Sequence, residues 1–201
     1  MGTAIGTISN NNEFKQEHKR RTSSPMLWIG LMSIVMFFAG LTSAVVVSKT
    51  STVWVQFEIP FSFTISTILI VISSATYQAG IMLMRKGNFA LAKWMVAGTF
   101  ALAIGFGISQ FIAWGGLYDQ GIVAAGSEST ASGSYFYVIT AMHLAHVVGG
   151  VVSLIIVLTK SLINLYNVED LVGVKVSLTY WHFLGALWIY LYIFLSITLK
   201  N

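Results

Sequence analysis

Five long apolar runs divide the chain, at roughly 26–48, 61–84, 94–118, 135–159 and 174–199, with short polar stretches between them. Each holds about 24 residues, and at ~1.5 Å per residue a helix of that length crosses ~30 Å of hydrocarbon with some tilt. The pattern predicts an all-α fold: residues 25–201 form a polytopic bundle of five transmembrane helices. Residues 1–24 differ. They include NNNEFKQEHKRRTSS, show no apolar periodicity, and read as a flexible polar arm ending in Lys19, Arg20 and Arg21. Pro25 is expected to open the first helix. That first span is too long for a signal-peptide core and lacks an evident small-x-small cleavage site, so it reads as retained.

Composition agrees with the pattern. Hydrophobic residues make up 56% and charged residues 9% of the 201, and the mean hydropathy is +0.78. A soluble domain of this length could not carry those values without exposing a large apolar surface. The net charge of +4 implies no nucleic-acid partner, because the basic residues sit in loops. Lys15, Lys19, Arg20 and Arg21 in the arm, Arg85, Lys86 and Lys93 in the second loop, and Lys160 and Lys175 in the fourth are nine of the eleven. Lys49 and Lys200 lie on the other face. The excess predicts a cytoplasmic N-terminus and an outer, periplasmic C-terminus. Trp28, Trp94, Tyr118, Tyr135 and Tyr166 fall near span ends, where amphipathic rings favour the headgroup level, and Trp54 falls in the first outer loop. The absence of cysteine excludes disulfides, thiolate metal sites, covalent haem attachment through CxxCH, and a thiolate-bridged copper centre.

Two strips of small side chains recur at four-residue steps: Ala141, Ala145, Gly149 and Ser153 in the fourth span, and Ala97, Ala101, Gly105, Ser109 and Ala113 in the third. Such strips let helices approach closely, so both are expected at packing seams. The fourth span also carries His143 and His146 on one helical face. His182 is the other histidine within an apolar run. At ~1.5 Å per residue, His146 lies about 16 Å from the outer face and His182 about 12 Å from the inner one, which places them at nearly one level. Two readings follow: a bis-histidine b-type cytochrome, or a hydrogen-bonded imidazole cluster tying helices four and five together. A proton relay or a small transporter fits poorly, because no other ionisable residue lies in mid-span. Glu58, just before Ile59 and Pro60, reads either as a solvated carboxylate at a helix N-terminus or as a functional one. Gln110 is expected to bond across helices. Trp181, Trp188, Tyr180, Tyr190 and Tyr192 make the fifth span aromatic, as interface or lipid-facing bulk.

Taken together, these motifs resemble a family. YFYVITAMHLAHVVGG is similar to the F-x-x-x-G-x-H-G-x-H-V-x-x-G stretch of subunit III of haem-copper terminal oxidases of the cytochrome c oxidase type. YWHFLGALWIYLY resembles that family's WYWHFVDVVW signature, and Glu58-Ile-Pro with a Ser/Thr-rich span resembles E-V-P-x-x-N-T. Order and spacing agree over almost the whole chain after residue 25, in the short five-helix bacterial form. His143, His146, His182, Trp181, Trp188, Glu58 and Gln110 are the matching positions.

The resemblance implies a non-redox subunit, with no cofactor and no catalytic centre of its own, in a proton-pumping complex of aerobic respiratory electron transport. It implies haems and copper in partner subunits, bound phospholipid, and support for the catalytic subunit's proton uptake and resistance to turnover inactivation. The implied partners are the haem-copper catalytic subunit I, other oxidase subunits, membrane phospholipids and a respiratory supercomplex, and the implied location is the bacterial inner membrane. Four acids of the family pattern are missing: the chain has Ile34, Ala113, Lys175 and Gly185 at their positions. A role that used the membrane carboxylates is therefore in question, whereas scaffold and lipid roles survive in the packing strips and basic loops.

Overall fold

The structure, a computed structural model, describes residues 2–50, 54–126, 129–163 and 171–200, with side chains from residue 25 onward. Tyr166, Glu169 and Asp170, and the side chains of the basic arm, lie outside the described set. Five helices follow in order: α1 (Gly2–Ser48), α2 (Ser62–Arg85), α3 (Phe89–Asp119), α4 (Ala131–Leu162) and α5 (Val172–Lys200). Each holds a stretch long and apolar enough to cross a membrane, and no strand occurs among the described residues. The expected spans are all present, several lengthened by a turn at an end. The largest difference is α1, whose backbone stays helical upstream of Pro25. There the proline lacks the N–H that would reach the carbonyl of residue 21, and it lies inside the helix rather than opening it.

The junctions are encoded locally. Gly87 (φ 77°) ends α2: its N–H reaches the Met84 carbonyl at 3.0 Å, and the Asn88 N–H reaches that of Leu83 at 3.0 Å. That paired closure needs a left-handed residue, which glycine supplies without a Cβ penalty. Asn88 then caps α3 by accepting from the Leu91 N–H at 3.3 Å. Gly121 (φ 78°) closes α3 in the same way, and Thr130 caps α4 through the Gly133 N–H at 3.2 Å.

Helices α2, α3, α4 and α5 form a ring in which each packs on the next and α5 closes on α2, while α1 lies against α4 and α5 alone. The buried positions alternate in steps of three and four. On α3 they are Ala92, Val96, Thr99, Ala103, Phe106, Gln110, Ala113 and Leu117, with Ser109 beside Gln110 also buried, and on α4 the row from Phe136 through His143, Val147, Gly150, Leu154 and Val157 is equivalent. A 3.5-residue repeat keeps one seam facing inward only if the helices coil with a left-handed twist.

A four-residue row behaves differently. Each step turns ~40° beyond a full rotation, so the row drifts around the helix. The third-span strip accordingly begins half-buried at Ala97, is exposed at Ala101 and becomes buried at Ser109 and Ala113, with Gly105 in ordinary contact with Leu69. The fourth-span strip faces outward at Ala141, Ala145 and Gly149, so among the described residues no helix of this chain covers it. Close approach falls on other glycines. A Cβ at Gly150 would stand 2.9 Å from Leu184 Cδ1 and 3.0 Å from Trp181 Cε3, and one at Gly80 would stand 3.1 Å from Met95 Cβ.

Basic side chains mark one end of the ring, with Arg85, Lys86, Lys93, Lys160 and Lys175 at the helix ends there. The opposite end is pinned by Ser48 Oγ donating to Tyr135 Oη at 3.0 Å and by the Val55 N–H donating to Ser132 Oγ at 3.2 Å. Trp28, Trp94 and Tyr118 are exposed at span ends, Tyr135 is half-buried, and Trp54 packs against the core.

Candidate functional site: the aromatic and hydroxyl core

Helix α2 presents hydroxyls and an amide toward α5, and α5 meets them with aromatic and imidazole groups. Trp188 Nε1 donates to Thr67 Oγ1 at 3.0 Å, and Trp181 Nε1 to Ser73 Oγ at 3.1 Å. Tyr77 Oη donates to Ser177 Oγ at 2.8 Å, while Thr64 and Tyr192 share a hydroxyl contact of 2.8 Å. His182 bonds to Ser74 through Nδ1 and to Gln78 Oε1 through Nε2, the latter at 3.2 Å. Because the amide oxygen only accepts, the neutral ring carries its proton on Nε2 and takes the Ser74 hydroxyl proton at Nδ1. Six interhelical bonds at about 0.6 kcal/mol each, the membrane average, hold α5 to α2 by about 4 kcal/mol.

The histidines do not gather. No group of three or more His, Cys, Asp or Glu side chains that could hold a metal occurs among the described residues. His182 faces α2, where both its nitrogens are engaged. His146 is half-buried, donates Nδ1–H to the Met142 carbonyl of its own helix at 2.7 Å, and packs on Phe38 of α1 at 5.6 Å between ring centroids. His143 is fully buried, with Trp188 at 4.9 Å and Phe106 at 6.1 Å, and neither ring nitrogen has a partner. The expected hydrogen-bonded cluster joining helices four and five is thus corrected: His182 bonds to α2, His146 to its own backbone, and His143 to no side chain, although His143 and His146 both pack on Phe38. What joins α4 to α5 instead is Tyr180 Oη donating to the His146 carbonyl at 3.1 Å and Ser153 Oγ donating to Ser177 Oγ at 2.7 Å.

Trp188 is the centre of the layer. It stacks with Phe63 at 5.8 Å and meets Phe106 edge-on at 5.1 Å, so one indole touches α2, α3 and α4 at once. The fifth-span aromatics are therefore more than bulk: Trp181, Trp188, Tyr180, Tyr192 and Tyr190, whose Oη donates to Thr42 Oγ1 at 3.3 Å, all reach hydrogen-bond partners. Gln110 departs from expectation in the other direction. It is fully buried, yet both its amide atoms lack partners. Sequence reasoning missed the hydroxyl row of α2. The available signal was Thr64, Thr67, Ser74 and Gln78 at helical spacing in an otherwise apolar run.

Glu58 is exposed and stands apart from this layer, in the extended segment before α2. With Phe57, Ile59, Tyr192, Ser196 and Lys200 it lines a cavity of about 310 Å³ at the end opposite the basic one. A second cavity, of about 380 Å³ and nearly all apolar, lies between α1 and α5 toward the basic end, lined by Met26, Leu27, Gly30, Leu31, Ile34, Val176 and Tyr180. Ile34 thus places a hydrocarbon side chain where the resembling family has its first membrane acid. Ala113 is buried, Lys175 is exposed, and Gly185 is buried with Ile70 and Ser74 at 3.8 and 3.9 Å from where a Cβ would stand.

A multi-pass α-helical membrane protein, built on a four-helix ring with one flanking helix, is the class these features define. Comparison with known proteins narrows it. The family model described as cytochrome c oxidase subunit III matches residues 22–198. Cytochrome c oxidase subunit 3 of Corynebacterium diphtheriae is 28% identical over 168 residues, covering 79% of this chain and 80% of that protein. The probable cytochrome c oxidase subunit 3 of Nocardia farcinica is 27% identical over 205 residues, 96% and 97% of the two chains. That of Mycobacterium tuberculosis is 31% identical over 127 residues, 63% and 61%. The chain belongs to the cytochrome c oxidase subunit III family, and with it to a haem-copper oxidase complex of other subunits.

Proposed function

We propose that the chain is the non-redox subunit III of a proton-pumping cytochrome c oxidase in a bacterial inner membrane, where it stabilises the catalytic subunit I and binds phospholipid. The family match across the membrane-spanning region carries this reading. The N-terminus is cytoplasmic in it, since the basic end of the ring then meets the cytoplasmic leaflet and its anionic lipids. The site chemistry is in keeping. His182 has both nitrogens committed to α2 and His146 has Nδ1 committed to its own backbone, so the imidazoles are arranged to pack helices. The b-type cytochrome would need two of them to meet one iron from facing helices, and no observation favours it. The α1–α5 cavity supports the lipid role: an apolar trough beside half-buried Tyr180 suits an acyl chain. His143, His146, His182, Trp181, Trp188 and Gln110 are core positions in this reading, and Glu58 belongs to the outer rim.

The test is purification through a tag on this chain. The expected outcome is a complex with haem and oxygen-consuming activity whose turnover decays faster when this chain is stripped, while the separated chain shows no Soret band. One haem per separated chain, lost in His146→Ala, would establish the cytochrome instead.

A further inference from the structure

Polar side chains inside this bundle are paired almost throughout, as they must be where no bulk water reaches. Gln110 and His143 break the pattern together, each at 0% exposure and each with both of its polar atoms unpartnered. Among the described residues the other unpartnered buried atoms, Trp54 Nε1 and Ser161 Oγ, are single and lie toward opposite ends of the bundle.

Both lie where α3 packs on α4. Phe106 packs edge-on against His143 at 6.1 Å, and two turns further along α3 the Trp114 Nε1–H reaches Thr140 Oγ1 at 3.1 Å. Gln110 lies one turn from Phe106 and one turn from Trp114, on the buried face of α3. Thr140 cannot accommodate it fully, since its hydroxyl hydrogen goes to the Phe136 carbonyl at 2.8 Å while its oxygen accepts from Trp114. The rings that pack on His143, those of Phe38, Phe106 and Trp188, carry one polar atom, the Trp188 Nε1, and it is committed to Thr67.

We propose that Gln110 and His143 together bind internal water between α3 and α4. The chemistry is complementary. A primary amide offers two N–H donors and a carbonyl acceptor, and a neutral imidazole offers one of each at opposite edges of its ring. A direct amide–imidazole bond would satisfy one atom of each residue and strand the other two, whereas water donates and accepts and can link all four. Buried polar groups without protein partners are the setting in which internal water is held, given two to four partners. Water bound there fixes the His143 tautomer and adds a polar link between α3 and α4 one turn from the direct Trp114–Thr140 hydrogen bond.

The experiment is electron cryomicroscopy of the assembled oxidase complex containing this chain, at a resolution that shows ordered water, for the parent and for Gln110→Met. The expected parent map has a solvent peak about 2.7–3.2 Å from both side chains, and in Gln110→Met that peak is lost or leaves His143. A parent map in which the two residues bond directly to each other or to main-chain carbonyls, with no peak between them, overturns the proposal. So does a peak unchanged by Gln110→Met. Should the variant not assemble, the parent map alone decides.

Discussion

Replacing Gly150 tests where α4 and α5 touch. An added Cβ would lie 2.9 Å from Leu184 Cδ1 and 3.0 and 3.1 Å from two Trp181 ring carbons. The indole cannot swing away, because it is buried and its Nε1 is tied to Ser73. Overpacking of this kind costs about 1–3 kcal/mol. Gaining alanine in place of glycine inside a helix returns up to about 1 kcal/mol, so Gly150→Ala should destabilise by about 1 kcal/mol and Gly150→Leu by about 3 kcal/mol or more. Gly149→Ala is the control: its nearest neighbour would be Tyr180 Oη at 3.5 Å, an ordinary contact, so the propensity gain should show. The assay is a heating series of the purified complex, read on native gels as the fraction retaining this chain. A loss of 1–2 kcal/mol shifts the folded-to-unfolded ratio by a factor of about 5–30, enough to lower the midpoint visibly. If Gly150→Ala matched the parent while Gly149→Ala lost the subunit, the seam would run along Ala141, Ala145 and Gly149 against another protein, and the reasoning from α5 would be refuted.

Further outcomes are expected from the same structure. In a double-mutant cycle, Trp188→Phe and Thr67→Val should show a coupling near 0.6 kcal/mol and no more than about 1.7 kcal/mol; strict additivity would mean that the indole hydrogen bond contributes nothing. His182→Leu strands Ser74 and Gln78 and should cost about 1–3 kcal/mol in thermal retention, with His182→Asn recovering part of it; an unaffected midpoint would count against the α2–α5 ladder. Carbodiimide should modify no residue inside the described spans, because the described carboxylates Glu58 and Asp119 are exposed; peptide mapping of the label to a span interior would contradict this. Ile34→Glu, which places an acid in the apolar α1–α5 cavity, should leave proton uptake and turnover no faster, and a clear gain would restore an acid-based mechanism.

Much of the fold was legible because hydrophobic length is a one-dimensional property. The five apolar runs set five helices, and Gly87, Asn88, Gly121 and Thr130 set the junctions of α2, α3 and α4 through their own backbone preferences. The histidine and tryptophan motifs carried the family resemblance for a related reason: they are local strings whose spacing survives without knowledge of neighbours. Facing was another matter. A row at four-residue steps drifts by ~40° each time, so within this chain Ala101 and Gly149 face outward while Gly150, one residue along, meets Trp181.

By itself, then, the sequence determined the class of molecule, the number and length of its spans, the charge asymmetry of its ends and its family. Only the tertiary structure decided which partner each polar group took. His182 turned to Ser74 and Gln78, His146 to its own backbone and Phe38, and His143 to an aromatic layer around Trp188. In an apolar bundle those choices depend on helix rotation and register, which are fixed by packing of the 3.5-residue seam among all four ring helices at once. No single span contains that information.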